Sequence, residues 1–389
     1  MTREELTALV DRVIGSKGIL RTPSYWMKKV LNNIIGYLEN YGDQNTYDVK
    51  VQLDSLSEEV NMLRNTIPLY LTAIAQEDDM TISFTRAYSY SVDGGGWVFC
   101  DAETITPAFS KDQVIRLKAT PNPDEFTSDQ GVGIFTFSKK VRLEGTVLSM
   151  LYGDNVVSSP LPEHAFAYMF YNCPITSVNV NLLPSTRLGD GCYNCMFRGC
   201  TELTNAPFLP ATQLKKRCYT GMFHNCKSIT SAPSLPSMTM KQECYLDMFY
   251  NCSSLVNAPA LPAMELALRC YSNMFEGCSS LVNAPALPAE TLSDSCYYAM
   301  FEECSSLTTA PELLARTLVR SCYGRMFRDC DNLSYVKMLA TDGLDSPYCL
   351  DIWLADIAGT GTIVKAKGVT LPSGTSGIPE GWSVEEVEV

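Results

Sequence analysis

One line recurs seven times along the chain: Met-Phe, two variable residues, then Cys. The pairs are Met169-Phe170, Met196-Phe197, Met222-Phe223, Met248-Phe249, Met274-Phe275, Met300-Phe301 and Met326-Phe327; after a first interval of 27 residues they recur every 26. A fixed period in this range belongs to a solenoid, whose units stack only on their neighbours. Such a scaffold directs expectation toward binding or structural work and away from a catalytic pocket.

The copy from Leu281 to Cys304 shows the whole unit: Leu281, Ala284-Pro285, Leu287-Pro288, Thr291, Leu292, Cys296-Tyr297, Met300-Phe301 and Cys304. Leu292, Cys296, Met300 and Cys304 are spaced by four, with Tyr297 and Phe301 in a second row, which predicts a short helix with one apolar face. Thr291 or Ser293 can cap its start. The prolines of the other half remove ladder donors, so only a short strand fits before Pro285. The expected class is α+β: a leucine-rich-repeat-like solenoid with one short strand and one short helix per 26-residue unit. One unit cannot bury its apolar face alone, and the atypical copies stand at the ends, with Ala165-Phe166 in place of Cys-Tyr and Leu313-Leu314 in place of Leu-Pro.

The Phe-x-x-Cys-x-x-Leu core resembles the BspA-like leucine-rich repeats of bacterial surface proteins, in a subtype with Cys-Tyr-x-x-Met-Phe and Ala-Pro-x-Leu-Pro. Gly359 to Lys365 and Gly377 to Trp382 resemble the closing segment of such arrays, and Ser89 to Trp97 with Leu151 to Asp154 the small β segment before them. The resemblance implies adhesion and no shared active site; fold alone assigns no ligand.

Four regions follow: a helical, coiled-coil attachment module over 1–79, a small β domain over 80–154, the seven-unit solenoid over 155–340 and a C-terminal cap over 341–389. In the first, Thr2-x-x-Glu5 is a capping-box pattern, and Thr22-Pro23 opens a helix faced by Trp26, Val30, Ile34 and Leu38. Val49, Leu53, Leu56, Val60, Leu63 and Ile67 then form a heptad seam that ends at Pro68. The seam fits a coiled coil that joins sister chains as a dimer or trimer, or an intramolecular hairpin with residues 23–40. In the second, Thr81 to Thr85 alternates as a strand does, and Asp93 to Gly96 turns between Tyr90-Ser91-Val92 and Trp97-Val98-Phe99.

Forty-three acidic against 30 basic residues give a formal charge of −13, which opposes nucleic-acid binding. No apolar stretch reaches the ~20 residues of a membrane span, and the acidic start Met1-Thr2-Arg3-Glu4-Glu5 lacks a signal core. Twelve of the 16 cysteines form Cys-x7-Cys pairs from Cys192/Cys200 to Cys322/Cys330. On a helix those sulfurs stand about 12 Å apart, and equivalents on packed helices about 8–10 Å apart, too far for disulfides. A ladder of buried thiols is expected, as suits a reducing cytoplasm.

Reactive constellations are weak. His164 and His224 occupy different repeat positions, which does not suit a nucleophile–base device. Cys192-Tyr193-Asn194-Cys195 is formally a redox motif, and Cys192, Cys195, Cys200 and Cys218 could formally hold zinc, but the repeat already accounts for three of the four. The acidic residues Glu276, Glu302, Glu303, Asp329 and Asp331 shift register between copies. No catalytic residue, metal ligand or cofactor is expected. The candidate ligand surface is the column Asn205, Ser231, Asn257, Asn283 and Thr309 beside the Ala-Pro, which either offers hydrogen bonds to a sugar or peptide or turns inward onto backbone groups. The expected protein is a non-enzymatic virion appendage. Its N-terminus would join other virion proteins, and its solenoid would meet a host glycan or protein. A bacterial cell-surface adhesin and a carbohydrate-active enzyme are the alternatives.

Overall fold

The computed structural model describes residues 70–119, 133–154 and 160–389. The heptad residues Val49, Leu53, Leu56, Val60, Leu63 and Ile67 lie outside the described residues. Eleven strands and one helix are present among those described: β1 Leu71–Ala75, β2 Ile82–Phe84, β3 Tyr88–Val92, β4 Val98–Cys100, β5 Val114–Ala119, β6 Phe135–Phe137, β7 Val141–Glu144, α1 Ser149–Tyr152, β8 Ile175–Val178, β9 Tyr335–Met338, β10 Gly361–Ala366 and β11 Trp382–Val387.

The first sheet runs β4-β3-β5-β1-β7-β8. Its β3–β4 hairpin pairs Tyr90 with Val98 across the expected turn. β1 falls within the span assigned above to the helical module; it is instead a fully buried strand between β5 and β7. Ser149 of α1 ties this centre together, accepting from the Leu71 N–H at 2.8 Å and donating to the Leu117 carbonyl at 2.9 Å.

This domain also closes the start of the solenoid. β7 pairs in parallel with β8, the strand of the first coil. The Phe135 ring stacks on Phe170 at 5.8 Å, the Phe135 N–H donates to the Met169 carbonyl, and the Cys173 thiol reaches the Phe135 carbonyl at 3.1 Å. These are the contacts that coils make with each other, so β6 presents the backbone and ring of a coil to the first repeat.

The helix expected in each unit is absent. In its place runs a ladder of turns. Arg217, Tyr219, Gly221, Phe223 and Asn225 donate their N–H groups to carbonyls of the next coil, at Gln242, Cys244, Leu246, Met248 and Tyr250, over 2.7–3.1 Å. Between them Cys218, Thr220, Met222, His224 and Cys226 donate back three residues along their own coil. Every fourth residue is left-handed to allow this: Arg217, Gly221 and Asn225 have φ of +55°, +56° and +61°, and the same positions repeat at Glu243, Asp247 and Asn251 and onward. Side chains therefore leave in pairs, two toward the core and two toward a second face, with a repeat of four. The Cys, Tyr, Met and Phe of each coil are buried as expected, on this non-helical backbone.

Two aromatic ladders result. Tyr193 to Tyr323 stack at 5.7–6.1 Å between neighbours, and Phe170 to Phe327 at 5.4–5.8 Å. Coils this close correct the expected thiol geometry, since packed helices stand about 8–10 Å apart. The sixteen cysteines are nonetheless free and buried. The second thiol of each coil is turned onto the preceding coil: Cys200, Cys226, Cys252, Cys278, Cys304 and Cys330 donate to the carbonyls of Phe170, Phe197, Phe223, Phe249, Phe275 and Phe301 at 3.0–3.1 Å. Burial pushes Cys252 up to about 12 and Cys278 well above the usual thiol range. Because the thiolate is the reactive form, Ellman's reagent should react slowly with native protein and count close to sixteen thiols after denaturation without reductant. A denatured count near zero would refute this.

The far end closes with Trp353, fully buried, whose carbonyl accepts the Phe327 N–H at 3.0 Å. β9, β10 and β11 form a parallel three-stranded sheet, and Thr309 bridges to Tyr335 at the start of β9.

Candidate functional site

The inward rows of the turn ladder are the same in six coils, while the rows on its other face differ. Inward, Cys-Tyr, Met-Phe and Cys repeat from Cys192 to Cys330. On the turn face the rows read Arg217, Glu243, Arg269, Ser295, Ser321 and Thr220, Leu246, Ser272, Tyr298, Gly324. Small and large side chains alternate in the second row, and a groove of about 490 Å³ opens across four coils, with Glu243, Arg269, Asn273, Asp294, Tyr298 and Arg320 among its lining.

Its polar groups are partly pre-set. Glu243 is buried and accepts from Arg217. Asn273 donates to Asp247 at 3.0 Å. Tyr298 lies beside Gly324, where a Cβ would come within 3.2 Å of the ring, and its hydroxyl accepts from Arg325 at 3.5 Å. Arg325 in turn donates to Glu302 at 2.6 Å.

The column expected to bind ligand lies on the strand side. Ser231, Asn257, Asn283 and Thr309 are exposed, and parallel bridges join Ser231 to Asn257 and Asn257 to Asn283. Asn205 differs: its side chain is half-buried, accepting from the Val178 N–H at 3.0 Å and donating to the Val178 carbonyl at 2.8 Å. The column thus splits into one inward-bonded amide and four solvent-facing groups.

Residues 163–282 and 246–342 match the family model of the BspA type leucine rich repeat region, in six copies. The solenoid is a BspA-type leucine-rich repeat array. Comparison with curated proteins gives no match. In this BspA-type array the groove residues were not legible as a set, because they stand 26 residues apart and meet only through the stacking of left-handed turns.

The other candidates of the sequence are dispersed by the same geometry. Cys192 lies in an inward row, whereas Cys195 is one of the left-handed residues of the turn face. Burial raises the Cys195 thiol above its ordinary range, the opposite of redox activation. His164 and His224 stand on different coils, and His224 stacks on Tyr250 at 4.4 Å. Among the described residues no three His, Cys, Asp or Glu side chains converge on a metal position, and no helix is long and apolar enough to cross a membrane.

One row of the BspA-type array reads Arg198, His224, Tyr250, Glu276, Glu302 and Arg328, one residue per coil. Glu276 and Glu302 are neighbours in it. Burial, then the Glu302 carboxylate, raises Glu276 from 4.5 to about 7. Its folded form therefore holds a proton that the unfolded chain releases near 4.5, so this group removes stability as pH rises from 4.5 through about 7. His224 acts oppositely: burial lowers it from 6.5 to about 4, so acidification from 6.5 toward 4 removes stability. Glu276→Gln isolates the first effect. Relative to the native chain it should be most stabilising above pH 7 in urea unfolding, the difference shrinking toward pH 4.5. A difference independent of pH would refute the assignment.

Proposed function

We propose that this protein is a non-enzymatic attachment protein: its BspA-type array presents a variable face to a bacterial surface while its other segments anchor it. The observation that carries this reading is the division of each coil into invariant inward pairs and variable outward pairs. Recognition needs a surface that changes without disturbing the core, and this backbone supplies one. BspA-type repeats form an adhesion-type family.

In the finer form of the proposal the protein is a virion appendage. Sixteen free, buried thiols suit a chain that folds in a reducing host cytoplasm before release. Residues 1–70 would join sister chains through Val49, Leu53, Leu56, Val60, Leu63 and Ile67 and dock on other virion proteins. The strand-side groups Asn205, Ser231, Asn257, Asn283 and Thr309 would add host contacts. Fluorescent full-length protein should label host cells, and antibodies should mark particles in electron microscopy. Labelling of the bacterial envelope without particles would replace the appendage with a cell-surface adhesin. Light scattering should give a multiple of 43.0 kDa that falls to the monomer when Leu56 and Leu63 become Asp. A monomer in both cases would remove the sister-chain contact.

A further inference from the structure

We propose that the groove across the turn face binds an uncharged, hydroxyl-rich oligosaccharide laid along the solenoid and seated on Tyr298. This rests on the attachment reading and names its ligand class and site. Three observations select that chemistry over the other polymers on a bacterial surface.

The first is the backbone. In the coils that form the groove, the N–H groups of Arg269, Asn273, Ser295 and Ala299 are already given to carbonyls of the next coil, and those of Ser272 and Tyr298 to their own coil. One way an extended peptide binds is to add a strand to a free edge, and this face offers no such edge. Recognition there falls to side chains.

The second is which side chains. Asn273 brings an amide, held by the buried Ser272 hydroxyl that donates to its Oδ1 at 3.3 Å and by its own bond to Asp247; Asp294 brings a carboxylate, and Arg269 and Arg320 guanidinium groups, around the half-buried ring of Tyr298. A sugar hydroxyl both donates and accepts, and so needs acceptors and donors interleaved. A sugar's C–H face meets an aromatic ring. Tyr298 is fixed for that use by Gly324 beside it and by the Arg325 contact to its hydroxyl.

The third is charge. Glu243 is already answered by Arg217. Asp294 stands in the same row as Arg320 and on the coil next to Arg269, so the groove carries both signs close together. Outside it, a body of formal charge −13 repels an anionic chain, while the two arginines oppose a cationic one. An uncharged ligand meets neither penalty. The cleft volume, about 490 Å³, is in the range of small-molecule sites.

The test uses the full-length protein on a printed array of neutral and acidic bacterial oligosaccharides, followed by calorimetry with the best neutral one. Neutral chains should bind, with less than about threefold loss between 50 and 500 mM NaCl, since no phosphate-like contacts are screened. Tyr298→Ala and Asn273→Ala should each weaken binding at least tenfold; Tyr298→Phe should retain it, which separates loss of the ring from loss of the fold. Val282→Ala, at an exposed strand-side position outside both candidate surfaces, should bind as the native chain does. Binding of acidic chains alone, falling steeply with salt, would overturn the uncharged class. Loss with Asn283→Ala but not with Tyr298→Ala would overturn the groove. A protein that labels host cells but binds no oligosaccharide would overturn this inference and leave attachment standing. One that labels no cells yet binds neutral chains through Tyr298 would support the groove and sink the attachment reading.

Discussion

Phe249→Ala should lower stability by about 3–5 kcal/mol, the range for removing a large aromatic ring from a packed core. The ring is fully buried between Phe223 at 5.5 Å and Phe275 at 5.8 Å, nearly parallel to both. Its backbone bonds survive the change, because the Phe249 N–H donates to Met274 and its carbonyl accepts the Cys278 thiol whatever the side chain. The loss is therefore one of packing. In a linear array it also weakens the only connection between the coils on either side. Urea unfolding should show an earlier midpoint and a broader transition as the two halves begin to unfold separately. A loss below about 1 kcal/mol would mean that the ladder is ornamental to stability.

Gly277→Ala should cost roughly 2–3 kcal/mol, from a left-handed backbone and a steric conflict combined. Gly277 has φ of +73°, and a Cβ there would stand 2.0 Å from the Asn251 Oδ1 of the coil before it. Asn225 and Asn251 occupy the same position in the two preceding coils with φ of +61° and +56°, so asparagine is accommodated where alanine is strained. Gly277→Asn should consequently be milder than Gly277→Ala. Adding Asn251→Gly to Gly277→Ala should recover the steric part and leave the backbone part. Strict additivity in that double-mutant cycle would show that the two residues do not meet as described.

The same positions explain what was and was not legible in the sequence. The 26-residue period, the identity of the buried side chains and the β3–β4 hairpin were readable because they depend on residue type and count alone. Cys296, Met300 and Cys304 mimic a helix because they are four apart, close to a helical turn. Yet a true helix advances about 100° per residue, so strict fours drift about 40° each and a second apolar row should break step. Here both rows keep step through Cys-Tyr, Met-Phe and Cys. A further signal lies in Gly191, Gly199, Gly221, Asn225, Asn251, Asn273 and Gly277, residues that favour a left-handed backbone and fall, within each coil, in one register of four. β1 is not legible because Leu71-Thr72-Ala73-Ile74-Ala75 follows directly on a helical pattern and carries no turn signal of its own. The groove was out of reach for another reason. Asn273, Asp294 and Tyr298 are ordinary residues singly, and only the offset between successive coils brings them to one hollow.

From Gly191 onward the odd-numbered N–H groups of each turn row reach across to the next coil while the even ones stay home; in the first coil, one residue out of step, the even ones cross. Every coil therefore gives its successor the same set of N–H donors that it receives from its predecessor. Nothing in that handshake counts how many coils have gone before. An array of this kind can gain or lose one whole coil by a 26-residue duplication or deletion without mismatching a single rung. Each such event moves the C-terminal end by one strand spacing, about 4.8 Å. It also inserts or removes one line of the variable face, so reach and reading length change together, in whole steps.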